Sequence, residues 1–170
     1  MPSNVSRDGT VVALETALLA VVAAAVATDL VLFARLTPQS LAEPIRLLLA
    51  AGAGIAASLG VAAGVADGRP LVAVGAVAAV PIAGLYAYTG LLLPWTQLSF
   101  FLGQIGVELT LSVPVIGGVL ADVLFGGFTL SQATLERAYR VHYGLVVAVA
   151  VVVVGRTTML LRGRIDSSPA

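Results

Sequence analysis

The sequence predicts an all-α integral membrane fold, a four-helix transmembrane bundle, and three observations carry that reading. The chain is 59% hydrophobic and only 11% charged, whereas a water-soluble domain has about a quarter of its residues charged. Its apolar residues gather into four runs, each near the roughly 20 residues that cross a hydrocarbon core of about 30 Å. Inside lipid the backbone must satisfy its own hydrogen bonds, which makes these runs helices rather than strands. A mean hydropathy of +1.03 agrees. The length of 170 residues suits one compact bundle.

After a polar tail at 1–10, the first span is expected over Val11–Phe33. It is too long and too poorly flanked for a cleaved signal peptide and is read as a retained span. Thr37–Glu43 is a short polar turn, and a second span follows over Pro44–Ala66. Asp67–Arg69 is a tight link, so the third span, Pro70–Leu93, must run antiparallel beside the second. A long connection from Pro94 to Arg137 is too broken to span, yet its apolar stretches Val107–Ile116 and Val119–Phe125 suit short interfacial helices. The fourth span is expected over Ala138–Leu161, which places the transmembrane domain at 11–164 and a polar tail at 165–170. On the second span Gly52, Ala56, Gly60 and Gly64 recur every four residues, a stripe that lets a helix or a flat ligand approach the backbone closely.

Four spans put both termini on one side of the membrane. Arg7, Arg69, Arg156, Arg162 and Arg164 share that side, against Arg35, Arg46, Arg137 and Arg140 on the other. The positive-inside rule then favours cytoplasmic termini in the cell membrane. Zero net charge gives no reason to expect a nucleic-acid partner. The absence of cysteine excludes structural disulfides, thiolate-ligated iron–sulfur clusters and covalently attached c-type haem. His142 is the single histidine, so a two-histidine metal site within this chain is impossible.

The segment from Gly90 to Phe100, GLLLPWTQLSF, resembles the end of the third helix of cytochrome b, with Leu91 in place of the usual tyrosine and Thr96 in place of a glycine. Val113 to Gly117 (VPVIG) and Gly126 to Phe128 (GGF) follow in the family's order. So do Ala133 to Arg137 (ATLER) and the Val141-His142 pair that opens the fourth helix. On the second span, Arg46, Gly52 and Ala53 fall where the family has an arginine and then His-x-x-Gly-Ala, the histidine position being Leu49. The resemblance, strongest from Leu85 to Gly144, implies the four-helix N-terminal half of cytochrome b, comparable to the short subunit of split, chloroplast-type complexes.

That family holds two b haems between its second and fourth helices, each helix giving two histidines about fourteen residues apart. Such a spacing is nearly four turns, which keeps both ligands on one face about 21 Å apart. Here the matching positions are Leu49 and Ala63 on the second span, and His142 and Arg156 on the fourth. The resemblance therefore implies at most one haem b. His142 is read as an ancestral residue hydrogen-bonded near a helix end, as the proximal ligand of a five-coordinate haem, or as a group that contacts quinone or shuttles a proton. Arg46 matches a propionate-pairing arginine; without haem it is an interfacial arginine reaching for headgroups. Arg156 either snorkels to the inner surface or faces an inner cavity. Asp29 and Glu15, near the ends of span one, are read as interface-facing carboxylates, with a functional role as the alternative.

The resemblance further implies that Pro94, Trp95, Phe100, Pro114 and Gly117 shape an outer quinol pocket. The expected role is a membrane subunit of a cytochrome bc-type, quinol-oxidising complex, haem-poor or haem-free and not catalytic alone. Its partners would be membrane lipid, a subunit equivalent to the C-terminal half of cytochrome b and a Rieske-type iron–sulfur protein, in a dimeric complex. A non-redox anchor or assembly scaffold of the same fold, and a single-haem electron carrier, are the alternatives. A bundle that has lost its haems is expected to close, the second helix lying on the fourth along Gly52, Ala56, Gly60 and Gly64.

Overall fold

A computed structural model describes residues 4–166. Among them the chain forms helices only: α1 Asn4–Phe33, α2 Gln39–Ala66, α3 Pro70–Leu92, α4 Gln97–Leu111, α5 Gly117–Phe125 and α6 Gln132–Asp166. Four are long and apolar enough to cross a membrane, at Gly9–Phe33, Ser40–Ala66, Pro70–Leu92 and Gln132–Met159. The protein is a multi-pass helical membrane protein, and the fold class and the four spans stand as the sequence predicts; the connection holds two helices as expected, but the first of them runs over Gln97–Leu111, starting at the Thr96 cap rather than at Val107. The ends differ. The first helix starts inside the polar tail, at Asn4, and the last starts six residues before Ala138, because Ser131 and Thr134 form a helix start there.

α2 and α3 are the most tightly paired neighbours, joined by a turn whose Gly68 holds φ +68°. α1 packs on α2 and α6, and α3 packs on α6. Gly64 sets the α2–α3 approach: a Cβ there would stand 3.0 Å from the Ala76 Cβ and 3.1 Å from the Ala73 Cα. One expectation is overturned. α2 does not lie on α6; among the described residues no Cα of one comes within 8 Å of the other. α1 and α3 flank the space between them, so the small-residue stripe is divided. Gly64 packs on α3, Gly60 would meet only Leu18 of α1 at 3.8 Å, and Gly52 faces open space.

The connection is tied down at both its corners. At the α3–α4 corner the buried Ser99 hydroxyl donates to the Leu91 carbonyl at 2.7 Å, occupying an acceptor that the end of α3 leaves free. α5 ends at Gly126, left-handed at φ +87°, where a Cβ would stand 2.7 Å from the Ala133 Cβ. The Thr134 hydroxyl donates to the Phe125 carbonyl at 2.7 Å, and Arg137 donates to the carbonyls of Asp122 and Val123. The GGF and ATLER motifs are thus the two halves of one cap over α5.

Candidate functional site

A polar knot is buried between the four spans near the α1–α2 end. Asp29 of α1 is fully buried, Arg46 of α2 is 5% exposed and His142 of α6 is 1% exposed. Arg46 Nη1 donates to Asp29 Oδ1, and lies 2.7 Å from His142 Nε2. Its Nη2 donates to the Tyr143 hydroxyl at 2.8 Å. The Tyr86 hydroxyl of α3 donates to Asp29 Oδ2. An arginine can only donate, so Nε2 of His142 accepts and the ring proton sits on Nδ1. Nδ1 in turn meets the Tyr86 carbonyl and the Thr89 hydroxyl, each at 3.2 Å, while Thr89 Oγ1 donates to the Leu85 carbonyl at 2.7 Å.

Packing closes the knot. The Tyr86 ring stacks on His142 with centroids 4.8 Å apart and planes 20° apart, and Tyr143 meets the imidazole edge-on. Gly90 leaves room for the ring: a Cβ there would stand 2.9 Å from His142 Cε1. Among the described residues no buried side-chain nitrogen or oxygen lacks a partner. One carboxylate and one guanidinium balance in charge, which is how ionised groups persist inside a membrane protein.

Two readings from the sequence are corrected here. Asp29 is not an interface-facing carboxylate, and Arg46 does not reach for headgroups; each is held inside by the other. The signal available was their matched depth, since Asp29 lies just before the end of α1 and Arg46 just after the start of the antiparallel α2. Tyr86, Thr89 and Tyr143 carried no sequence signal, being single polar tips on apolar helices. Glu15 is half exposed and accepts from Arg156 Nη2 at 3.1 Å, so these two form a pair at the other end of α1 and α6.

Below the knot, where α2 and α6 stand apart, lies a cavity of about 440 Å³. Its walls come from α1, α2, α3 and α6 and include Gly52, Ala56, Gly60, Ala63 and Gly64. Tyr86 lines it, and it reaches Glu15 and Asp67 at the opposite ends of the helices. The residues expected to shape a quinol pocket are not gathered by it. Trp95, Phe100 and Pro114 are exposed on the connection, Pro94 is half-buried and Gly117 is buried against the end of α4. Neither this cavity nor the shallow α2–α3 groove reaches them. Trp95 and Val115 hold left-handed backbone, at φ +54° and +69°, and Val115 is wholly exposed.

Four spans, a capped connection and a histidine buried within the last span define a cytochrome b-like helical membrane protein. The family profile described as Cytochrome b(N-terminal)/b6/petB matches residues 69–170, more than half of the chain. The chain belongs to that family. It is similar to cytochrome b of Bugula neritina, 37% identical over 59 residues that are 35% of this chain and 16% of that protein. Cytochrome b of Acanthamoeba castellanii is 38% identical over 66 residues, 39% of this chain and 17% of its own. That of Solanum tuberosum is 39% identical over 57 residues, 34% and 14% respectively. The chain thus spans less than a fifth of the curated relatives it matches.

The family implies b haem, and the residues present do not fit it. Haem iron needs an unengaged imidazole nitrogen, yet Nε2 faces Arg46 and, at 3.3 Å, Asp29 Oδ1, and Nδ1 has its own acceptors. At the other three positions that match the family's ligands stand Leu49, Ala63 and Arg156; leucine and alanine have no donor atom and arginine stays protonated.

Proposed function

We propose that this chain is a haem-free membrane subunit of a cytochrome bc-type, quinol-oxidising respiratory complex. It would keep the four-helix frame and the partner-facing connection of the family while carrying no electrons itself. The single observation behind this reading is the Asp29–Arg46–His142 knot, which uses both nitrogens of the one histidine. The frame that haem iron would tie together is tied here by an ion pair reaching from α1 through α2 to α6. Redox chemistry and quinol deprotonation belong, on this reading, to partners: a chain equivalent to the C-terminal half of cytochrome b, and a Rieske-type protein over the exposed connection. The complex would be dimeric and lie in the cell membrane, with both termini of this chain cytoplasmic.

The test is to isolate the chain from its native membrane in mild detergent with whatever accompanies it. Redox subunits should co-purify, and a dithionite-reduced spectrum of this chain, separated from them, should lack sharp low-spin b-type bands. A low-spin spectrum assigned to this chain would overturn the haem-free reading. Co-purification with no redox subunit would favour a second reading, a non-redox anchor of the same fold, which the fully satisfied knot supports equally well.

A further inference from the structure

We propose that the interior cavity is a structural lipid site, which takes one acyl chain of an anionic phospholipid with its headgroup outside at the end marked by Glu15 and Asp67. The inference rests on the haem-free reading, since a haem would fill the same space. The cavity of about 440 Å³ is walled almost entirely by glycine, alanine, valine, leucine and isoleucine. Apolar cavities stay dry and take apolar ligands, and the solvent around a membrane bundle is hydrocarbon.

The polar groups on the walls choose between hydrocarbon and quinone. At the outer end the Tyr86 hydroxyl is already committed to Asp29. At the inner end stand Glu15 and Asp67, which as carboxylates accept and do not donate. A quinone head buried among these walls finds no free side-chain donor for its two acceptors, Arg69 and Arg156 standing outside the lining; an acyl chain needs none. The partners of those carboxylates complete the site. Arg156 bonds Glu15 and Arg69 stands 3.7 Å from Asp67, and both arginines are exposed, at 47% and 77%, at the end where the headgroup would sit. Arginine binds phosphate through a planar fork of donors.

The detergent-purified complex should retain a phospholipid through delipidation, read by native mass spectrometry. The chain reconstituted in phosphatidylcholine vesicles doped with phosphatidylglycerol bearing a photoactivatable acyl chain should crosslink at Val22, Ala56 and Val149. The variant Gly60→Leu, whose side chain enters the cavity, should lose both the retained lipid and these crosslinks. Gly75→Leu, on an open face outside the cavity, should keep them. Crosslinks confined to outward residues such as Leu71 and Val74, or crosslinks unchanged in Gly60→Leu, would overturn the site. If that variant fails to fold, the map on the wild-type chain decides alone. A retained quinone would overturn the lipid assignment only; a retained haem would overturn it together with the haem-free reading; loss of every amphiphile without haem would overturn the lipid site and leave that reading standing.

Discussion

Asp29 is the residue on which the buried site turns. Its carboxylate accepts from Arg46 and Tyr86 and is wholly withdrawn from solvent. Removing one partner of a buried ion pair leaves the other charged and unpaired, which costs about 3–5 kcal/mol, whereas replacing both by apolar groups of similar size is often neutral. Asp29→Leu should therefore destabilise the subunit by about that amount, and Asp29→Leu with Arg46→Met should recover most of it. Thermal unfolding of the detergent-solubilised variants reads both, and equal losses in the single and double variants would argue against a coupled pair. Gly90→Ala is expected to cost about 1–3 kcal/mol by crowding the imidazole. Much of this site was legible as isolated letters: a carboxylate and an arginine inside apolar runs, and one histidine at the head of a helix. Their meeting was not, because an apolar helix face carries no mark of its neighbour. The placement of Tyr86 over His142 depends on how α3 is rotated in the bundle, which hydropathy leaves open.

At the level of helices, the four spans and their turns followed from hydropathy and from Pro, Gly and Asp at the links, and α5 was placed to within two residues, but α4 begins at Gln97, ten residues before the stretch that marked it in the sequence. The second helix's stripe was read correctly as permission for close approach and incorrectly as contact with the fourth span. Small residues say that something comes near without saying which element, and here the near element is α3, reached through Gly64. Two substitutions on one stripe should accordingly behave in opposite ways. Gly64→Ala puts a methyl within 3.0–3.2 Å of Ala76, Ala73 and the Val72 carbonyl, an overpacking that costs about 1–3 kcal/mol. Gly60→Ala meets only Leu18 at ordinary contact distance and gains helix propensity of up to about 1 kcal/mol. Denaturation of the pair in one detergent distinguishes them, and equal losses would argue against the open surroundings of Gly60. The α5 cap makes a further case: Thr134→Val removes the donor to the buried Phe125 carbonyl and should cost about 1–3 kcal/mol. Its readout is increased protease cleavage near Gly126 and Gly127.

For the molecule as a whole, the structure changes the weight of the charges that orient it in the membrane. Five arginines on the terminal side faced four on the other when all were counted as loop charges. Arg46 leaves that count because it is buried inside α2, paired with Asp29 and carried into the bilayer by the span. Arg137 is held against the carbonyls that end α5 and is only partly available to headgroups. What remains at the connection end is Arg35 and Arg140, the latter 3.5 Å from Glu136, while Arg69 and Arg156, each beside a carboxylate, lie at the terminal end with Arg7, Arg162 and Arg164. Orientation follows lysine and arginine near the ends of spans rather than net charge, so the bias toward cytoplasmic termini is wider than the bare sequence suggested. The native chain has no cysteine, which makes single introduced thiols clean reporters. Thr129→Cys, exposed on the connection, should react with a membrane-impermeant maleimide added to intact cells. Asp67→Cys, at the α2–α3 turn, should react only after the membrane is permeabilised. The reverse pattern would invert the protein and place the apolar connection, and any partner it holds, on the cytoplasmic face. Labelling of both thiols from outside would contradict the four-span crossing itself, because Thr129 and Asp67 stand at opposite ends of the helices that separate them.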